Sequence, residues 1–238
     1  MKMNKKKVLS LSLVIVLIAI LSFGTLAWFN DTEKVTNTFY VASSSTDGGA
    51  PDTEDEIFSV DVWENADTDG DGELDDNDGD GTPDKFDQGA TFEDILPGAH
   101  IAKAPYVENT GKYQQYVRVI ITFDSKDDWH KLVDGQHSNP MGLLNLGDCW
   151  INGDSVNVNG AYAYVFYLDH ALQPGDKVPV FTTVTIPNTL EQENVVGMGE
   201  LKLTVRADAI QVENVGASSA KEAFDSVGWT PGIEYPST

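Results

Sequence analysis

The sequence predicts an all-β fold, an antiparallel β-sandwich of jelly-roll type that carries a loop insertion and one or two short helices. Three observations support this prediction. Several stretches alternate apolar and polar residues, as strands with one buried face do. Turn residues separate these stretches at short intervals, and only two short stretches favour a helix. Many short strands joined by turns are typical of sandwiches and jelly rolls.

The strands are predicted from stretches in which apolar and polar residues alternate. In one of them Tyr162, Tyr164, Phe166 and Leu168 fall on the same face, because successive side chains of a strand point to opposite faces. Pro179 indicates an edge strand or a strand start, since proline cannot donate to a ladder. The predicted strands are residues 57–63, 117–123, 161–168, 178–186 and 201–212.

Turns and helices are placed by their residue types. Proline, glycine and asparagine mark turns at residues 96–98, 109–111 and 173–176. Short helices are predicted at residues 125–133 and 218–227.

An acidic insertion at residues 67–87 spaces its carboxylates as calcium ligands are spaced. Counted from Asp67, aspartates occupy positions one, three, five, nine and twelve, with Gly72 at position six. Glycine at the sixth position permits the tight turn that such a loop needs. The seventh position would contribute a backbone carbonyl. The spacing predicts a calcium loop; the alternative is a solvated acidic linker, in which like charges this dense would repel one another.

A second loop of the same kind begins at Asp76, with Gly81 at its sixth position. Asp78 is then the twelfth residue of the first loop and the third residue of the second, so the two predicted sites share this ligand. The flanking residues favour no helices, and the overlapping pattern resembles the calcium repeats of thrombospondin type 3 more than an EF-hand. The predicted ligands are Asp67, Asp69, Asp71, Glu73, Asp75, Asp76, Asp78, Asp80, Thr82, Asp84 and Asp87.

The amino terminus predicts export. Four lysines precede an uncharged apolar run over residues 8–29, as in a signal peptide, and Ala27 ends a small-residue cleavage motif. We therefore expect residues 1–27 to be a signal peptide and Trp28 to be the new terminus. The run is also long enough to stay in the bilayer as an anchor.

Charge and cysteine content narrow the class of protein. Without residues 1–27 the chain has 11 basic and 38 acidic residues, a net charge of −27. A chain this acidic is not expected to bind nucleic acid. Its single cysteine, Cys149, excludes an internal disulfide, so the core, together with any bound ions, must hold the domain outside the cell.

The mature chain divides into two parts. Residues 28–56 form an extended apolar segment followed by a flexible, polar linker, and residues 57–238 form the sandwich with its insertion at 67–87. The segment at residues 35–41 is either the first strand of its own sandwich or a strand donated to a neighbouring molecule. For residues 28–32 the donor role is favoured.

Three stretches resemble a known family. Residues 24–31 with 35–39, residues 96–111, and residues 207–214 with 220–224 are similar to proteins exported through the SipW signal peptidase, a family that includes the fibre protein TasA and the camelysins. The insertion departs from the fibre protein's pattern.

The resemblance implies a secreted jelly-roll subunit of biofilm matrix filaments, located in the extracellular matrix or at the cell surface. The implied partners are other copies of the chain and a signal peptidase of the SipW type, with membrane contact only through an uncleaved signal segment. The alternatives are a camelysin-like metallopeptidase and a monomeric adhesion module.

An enzyme is not expected from the residues themselves. A zinc peptidase needs two histidines at fixed helical spacing with a glutamate as base. The chain's four histidines show no such motif: His100, His130, His137 and His170. Cys149 is predicted to be a small buried apolar residue, and the tyrosines at alternating strand positions favour packing over glycan binding.

Overall fold

A computed structural model describes residues 30–40 (as backbone), 59–71, 73–87, 89–93, 95–133, 139–158, 160–190, 198, 200–213 and 215–228. The predicted signal peptide, Trp28, the predicted linker at residues 43–56 and the first two residues of the predicted strand 57–63 lie outside these residues. The strands are β1 (Asn30–Tyr40), β2 (Asp61–Ala66), β3 (Thr91–Phe92), β4 (His100–Glu108), β5 (Gln115–Phe123), β6 (Trp150–Val158), β7 (Ala161–Leu168), β8 (Lys177–Pro179), β9 (Thr183–Thr185) and β10 (Glu200–Gln211). The helices are α1 (Lys126–Leu132), a 3-10 turn (Pro140–Leu143) and α2 (Ala220–Val227).

The strands form two sheets. The larger has the order β3-β1-β10-β5-β7-β6, and the smaller has the order β2-β4-β8, with β9 paired to the start of β4. Every pairing is antiparallel except that of β1 with β3. The all-β prediction is therefore confirmed for the described part of the chain, in which the α-helices are the two short ones.

One hydrophobic core joins the two sheets. Val62, Val107 and Val178 of the smaller sheet belong to the same buried cluster as Val119 and Leu203 of the larger one. This contact explains the period of two in the sequence, because alternate residues of each strand face the shared core.

A second, smaller apolar cluster lies on the other face of the larger sheet. There Ala220, Ala223 and Phe224 of α2 pack against Ile120 and Tyr167. The helix starts where the hydroxyl of Ser219 accepts a hydrogen bond from the backbone of Glu222, as an N-cap residue does. The two helices lie close to the positions that the sequence predicts.

Two strand predictions need correction. The stretch 178–186 is not one strand, because it divides into β8 and β9, which pair with opposite ends of β4. The predicted strand 57–63 ends instead at Ala66, since Glu64, Asn65 and Ala66 continue the pairing with β4. The edge position predicted for Pro179 is confirmed, because β8 is the last strand of its sheet.

Strand β1 pairs with β10 of its own chain along its whole length of 11 residues. Residues 35–40 are therefore a strand of their own sheet in this structure. Residues 30–32, for which a donor role is favoured, belong to the same strand and lie opposite Ile210, Ala209 and Asp208. No helix among the described residues is long and apolar enough to cross a membrane.

Candidate metal centre

The acidic insertion leaves the smaller sheet at the end of β2 and is built on a nine-residue repeat. The backbone N–H of Asp75 donates to the carbonyl of Ala66 over 2.8 Å, and that of Asp84 donates to the carbonyl of Asp75 over 2.7 Å. Each bond spans nine residues. The chain therefore winds twice with the same pitch, which equals the nine-residue offset between the predicted loop starts, Asp67 and Asp76.

Equivalent carboxylates close the two turns of the repeat. The backbone N–H of Thr68 donates to Oδ1 of Asp75 over 3.1 Å, and that of Asn77 donates to Oδ2 of Asp84 over 3.0 Å. The side chains of Thr68 and Asn77 also donate to the same two carboxylates. In each loop, the carboxylate at position nine thus accepts hydrogen bonds from the residue at position two.

The first carboxylate of each turn is fixed by a local turn of the backbone. Oδ1 of Asp67 accepts from the N–H of Gly70 at 2.7 Å, and Oδ1 of Asp76 accepts from that of Gly79 at 2.9 Å. Both glycines have a positive φ, 77° and 72°, a conformation that other residues adopt at a cost. These hydrogen bonds orient the carboxylates before any ion is present.

The repeat brings two groups of carboxylates together. In each group the oxygens that can serve as ligands lie within 4.8 Å of one another, and together they can hold a metal ion. A set of carboxylate oxygens suits a hard cation. The first group is Asp67, Asp69 and Asp71, and the second is Asp76, Asp78 and Asp84.

Asp78, predicted to serve both loops, belongs to the second group. The other predicted ligands lie outside the two groups, and one of them, Asp75, accepts a hydrogen bond from Thr68. The N–H of Glu73 donates to Asp71 over 2.8 Å, and that of Thr82 donates to Asp80 over 2.7 Å. The members outside the groups are Glu73, Asp75, Asp80, Thr82 and Asp87. Gly72, the sixth residue of the first loop, is not among the described residues.

The insertion is fastened to the core at its base. The buried side-chain amide of Asn65 donates to the carbonyl of Asp84 over 2.7 Å, and the N–H of Asp67 donates to the carbonyl of Ala102 over 3.0 Å. At the end of the insertion, Phe86 and Glu64 exchange two backbone hydrogen bonds. The metal groups are therefore connected to β2 and β4 by short paths.

An aromatic and charged cluster holds the last residues of the insertion. Lys85 Nζ lies 4.2 Å from the centre of the Trp63 ring and 3.3 Å from Oε2 of Glu108. The indole of Trp63 donates to the same Glu108 oxygen over 2.8 Å and stacks on Tyr106. Sequence reasoning did not identify this cluster, although the apolar-polar alternation placed Trp63 in a strand.

Three ion pairs with buried carboxylates were also not identified from the sequence. Glu64 pairs with Lys103 between β2 and β4, and Asp208 pairs with Arg118 and Arg206 on the larger sheet. Burial lowers the pKa of Lys103 to about 8, although the Glu64 carboxylate opposes this shift. The alternation of apolar and polar residues along a strand does not predict which charged residues face the core.

Among the described residues, no histidine or cysteine belongs to either group of carboxylates. His100, His130 and His170 are exposed, and both described metal groups contain aspartates alone. His137 is not among the described residues. Cys149 is partly buried against the core, and burial raises the pKa of its thiol. A surface cleft of about 830 Å³ adjoins Asp67 and Asp69 on one side and His100 on another.

The fold and the site define an all-β protein in which an acidic insertion, with two groups of carboxylates that can hold a metal ion, lies beside a two-sheet core. Comparison of the chain with protein-family models, with curated proteins and with solved structures finds no match. The resemblance to the SipW-dependent family therefore stays a prediction.

Proposed function

We propose that the chain is a secreted, calcium-binding structural subunit of extracellular matrix filaments, with a β-sandwich of jelly-roll type. The observation that carries the proposal is the repeated acidic insertion, which presents two groups of carboxylates on one rigid base. In this proposal calcium orders the insertion, and the amino-terminal strand links one copy to the next.

Calcium is the ion that fits the donor set. Calcium takes six to eight oxygen ligands at flexible geometry, whereas magnesium demands a near-ideal octahedron and loses its water reluctantly. Each group offers three carboxylates, and neighbouring carbonyls and water complete such a shell. Without a cation, the aspartates of the insertion repel one another at close range.

Strand addition is supported by the pairing of β1. Its bonds with β10 join backbone groups, so an identical strand from another copy can make the same bonds. Exchange of an identical element between copies is a low-cost route to an assembly. The stretch 41–58 separates β1 from the rest of the chain and gives it the length to reach a neighbour.

Export supplies the free strand in this proposal. A signal peptidase of the SipW type would cut after Ala27 and leave Trp28 two residues ahead of β1. Amino-terminal sequencing of the secreted protein tests this step. We expect Trp28 as the first residue, and a chain that keeps residues 1–27 would contradict it.

Electron microscopy of the purified mature protein, with calcium and with a chelator, tests the function. We expect filaments with calcium and fewer or none with the chelator. A double variant, Asp67→Asn with Asp76→Asn, should behave with calcium as the wild type does with the chelator. Monomers under every condition would contradict the filament and favour the adhesion module.

The same preparations test the peptidase alternative. A casein digest by the wild type should match that of a buffer control, since the described metal groups hold no histidine. Digestion that needs added zinc would favour the camelysin-like activity.

A further inference from the structure

A lysine and a glutamate face each other inside the core. Glu64 lies opposite Pro105 in the pairing of β2 with β4, and Lys103 lies opposite Ala66, so the two side chains are diagonal neighbours on one face. The ammonium nitrogen of Lys103 is in direct contact with Oε2 of Glu64. Both side chains have a relative exposure of 0%.

The surroundings of this pair are apolar. Val62 and Ala66, which share its face of β2, belong to the main hydrophobic cluster, as does Val107 of β4. The Lys103 nitrogen also lies 5.6 Å from the centre of the Phe92 ring. Removing two charges from water in this way carries a large desolvation cost, which their attraction repays only with excellent geometry and further hydrogen bonds.

We propose that Lys103 and Glu64 condense into an intramolecular amide that covalently joins β2 to β4. A proton passes from the ammonium to the carboxylate and gives a neutral amine and a carboxylic acid. The amine nitrogen then attacks Cδ of Glu64, the C–O bond breaks, and one water molecule leaves with the second proton of the nitrogen. The ion pair contains every atom of the products, so no further reactant is needed.

The environment favours each step of this condensation. Burial disfavours the charged form of the amine, which is the unreactive form. The backbone N–H of Ala90 donates to Oε1 of Glu64, where it can stabilise the oxyanion that forms during the attack. The released water moves from the apolar core to solvent, so no water remains beside the amide to hydrolyse it.

The cross-link would lie at the base of the insertion, because Glu64 precedes Asp67 by three residues and Ala90 follows the last acidic loop. A chain with one cysteine cannot form an internal disulfide, and an amide would serve the same purpose in an oxidising or reducing medium alike. It would hold the two ends of the insertion together whether or not calcium is bound.

Mass spectrometry of the purified, denatured protein tests the proposal directly. We expect the wild type to be lighter than its sequence by one water molecule. A tryptic digest should give residues 35–85 joined to residues 86–112, with no cleavage after Lys103. Folded wild-type protein of full mass, with cleavage after Lys103 and three separate peptides (35–85, 86–103 and 104–112), would overturn the proposal.

Loss of water also occurs when an Asp-Gly pair closes to a succinimide, and the insertion contains several such pairs. The variant Lys103→Arg keeps a positive charge beside Glu64 and cannot form the amide, so it should have its full mass. A deficit that persists in this variant, or that hydroxylamine removes, would assign the lost water to a succinimide and contradict the cross-link. The wild-type digest decides the question even if the variant fails to fold.

Discussion

The backbone N–H of Asp84 donates a 2.7 Å hydrogen bond to the carbonyl of Asp75, nine residues earlier, and Asp75 makes the same bond to Ala66. This relationship makes the insertion two equivalent turns, with each turn built on the previous one and the first built on β2. The two turns therefore share one backbone frame, and a side-chain change that leaves these bonds intact should affect only the sites in which that side chain is a ligand.

Replacement of Asp78 with alanine tests whether the two metal sites share a ligand. The sequence places Asp78 at the end of the first loop and the start of the second, and the structure groups it with Asp76 and Asp84. We expect Asp78→Ala to weaken both sites, by tenfold or more. The control Asp76→Ala should weaken the second site alone. An Asp78→Ala variant with an intact first site would contradict the shared ligand.

Calcium should raise the melting temperature of the protein. Binding to the folded state alone stabilises it by about 2.7 kcal/mol per site when free calcium is a hundredfold above Kd. Differential scanning calorimetry with calcium, with magnesium and with chelator measures this. Equal melting temperatures under the three conditions would mean that ion binding does not stabilise the fold.

Asn65 should transmit the calcium effect to the core, because its amide holds the carbonyls of Pro83 and Asp84. We expect Asn65→Ala to lower the free energy of unfolding by about 1–3 kcal/mol, because it removes two hydrogen bonds that contribute about 0.5–1.5 kcal/mol each. The rise in melting temperature with calcium should also be smaller. An unchanged rise would show that the insertion reaches the core by another path.

Asp124 should make stability depend on pH. Burial raises the pKa of its carboxyl above 3.8, although hydrogen bonds from Lys202 and Trp129 oppose the shift. The folded state therefore favours the protonated form, and this contribution to stability is lost as the pH rises from 3.8 through the higher folded pKa. Asp124→Asn keeps an oxygen acceptor and removes the charge.

Urea unfolding of Asp124→Asn and the wild type at several pH values measures this contribution. The variant should lose less stability than the wild type between pH 4 and pH 7. Parallel pH profiles for the two proteins would contradict the assignment.

Deletion of residues 28–32 tests the role of the amino-terminal strand in assembly. It removes the part of β1 that pairs with Asp208, Ala209 and Ile210 and leaves eight paired residues, Glu33 to Tyr40. We expect a folded protein that no longer forms filaments in light scattering. Extra residues ahead of Trp28 should also block assembly, whereas filaments of equal length in all three proteins would contradict strand addition.

The sequence was sufficient to predict the existence of β7 and β10 and the two faces of β7. The period of two separates Phe166 and Leu168, which enter the main core, from Val165 and Tyr167, which belong to the cluster under α2. It gave no signal for β6, where asparagine, glycine and serine interrupt the apolar residues and the pairing with β7 shifts between Asn152 and Ser155. It also joined β8 with β9, because Val180 and Phe181 between them are buried as strand residues are.

For the candidate metal centre, the nine-residue offset between the predicted loop starts, Asp67 and Asp76, agrees with the pitch of the turns. The spacing did not predict which of the ligands come together, because Asp75 and Asp84 also accept hydrogen bonds from Thr68 and Asn77, and residue types do not reveal these bonds. The pairing of Glu64 with Lys103 could not be predicted either. It requires the register of β2 against β4, and that register is set by contacts distant in sequence.

Titration calorimetry with calcium tests the central claim most directly. We predict two calcium ions per chain at residues 67–87, with Kd values of about 0.1–1 mM, the range of extracellular modules. The double variant Asp67→Asn with Asp76→Asn should show neither site at these concentrations. A wild-type protein that takes up no calcium at millimolar concentrations would contradict the claim.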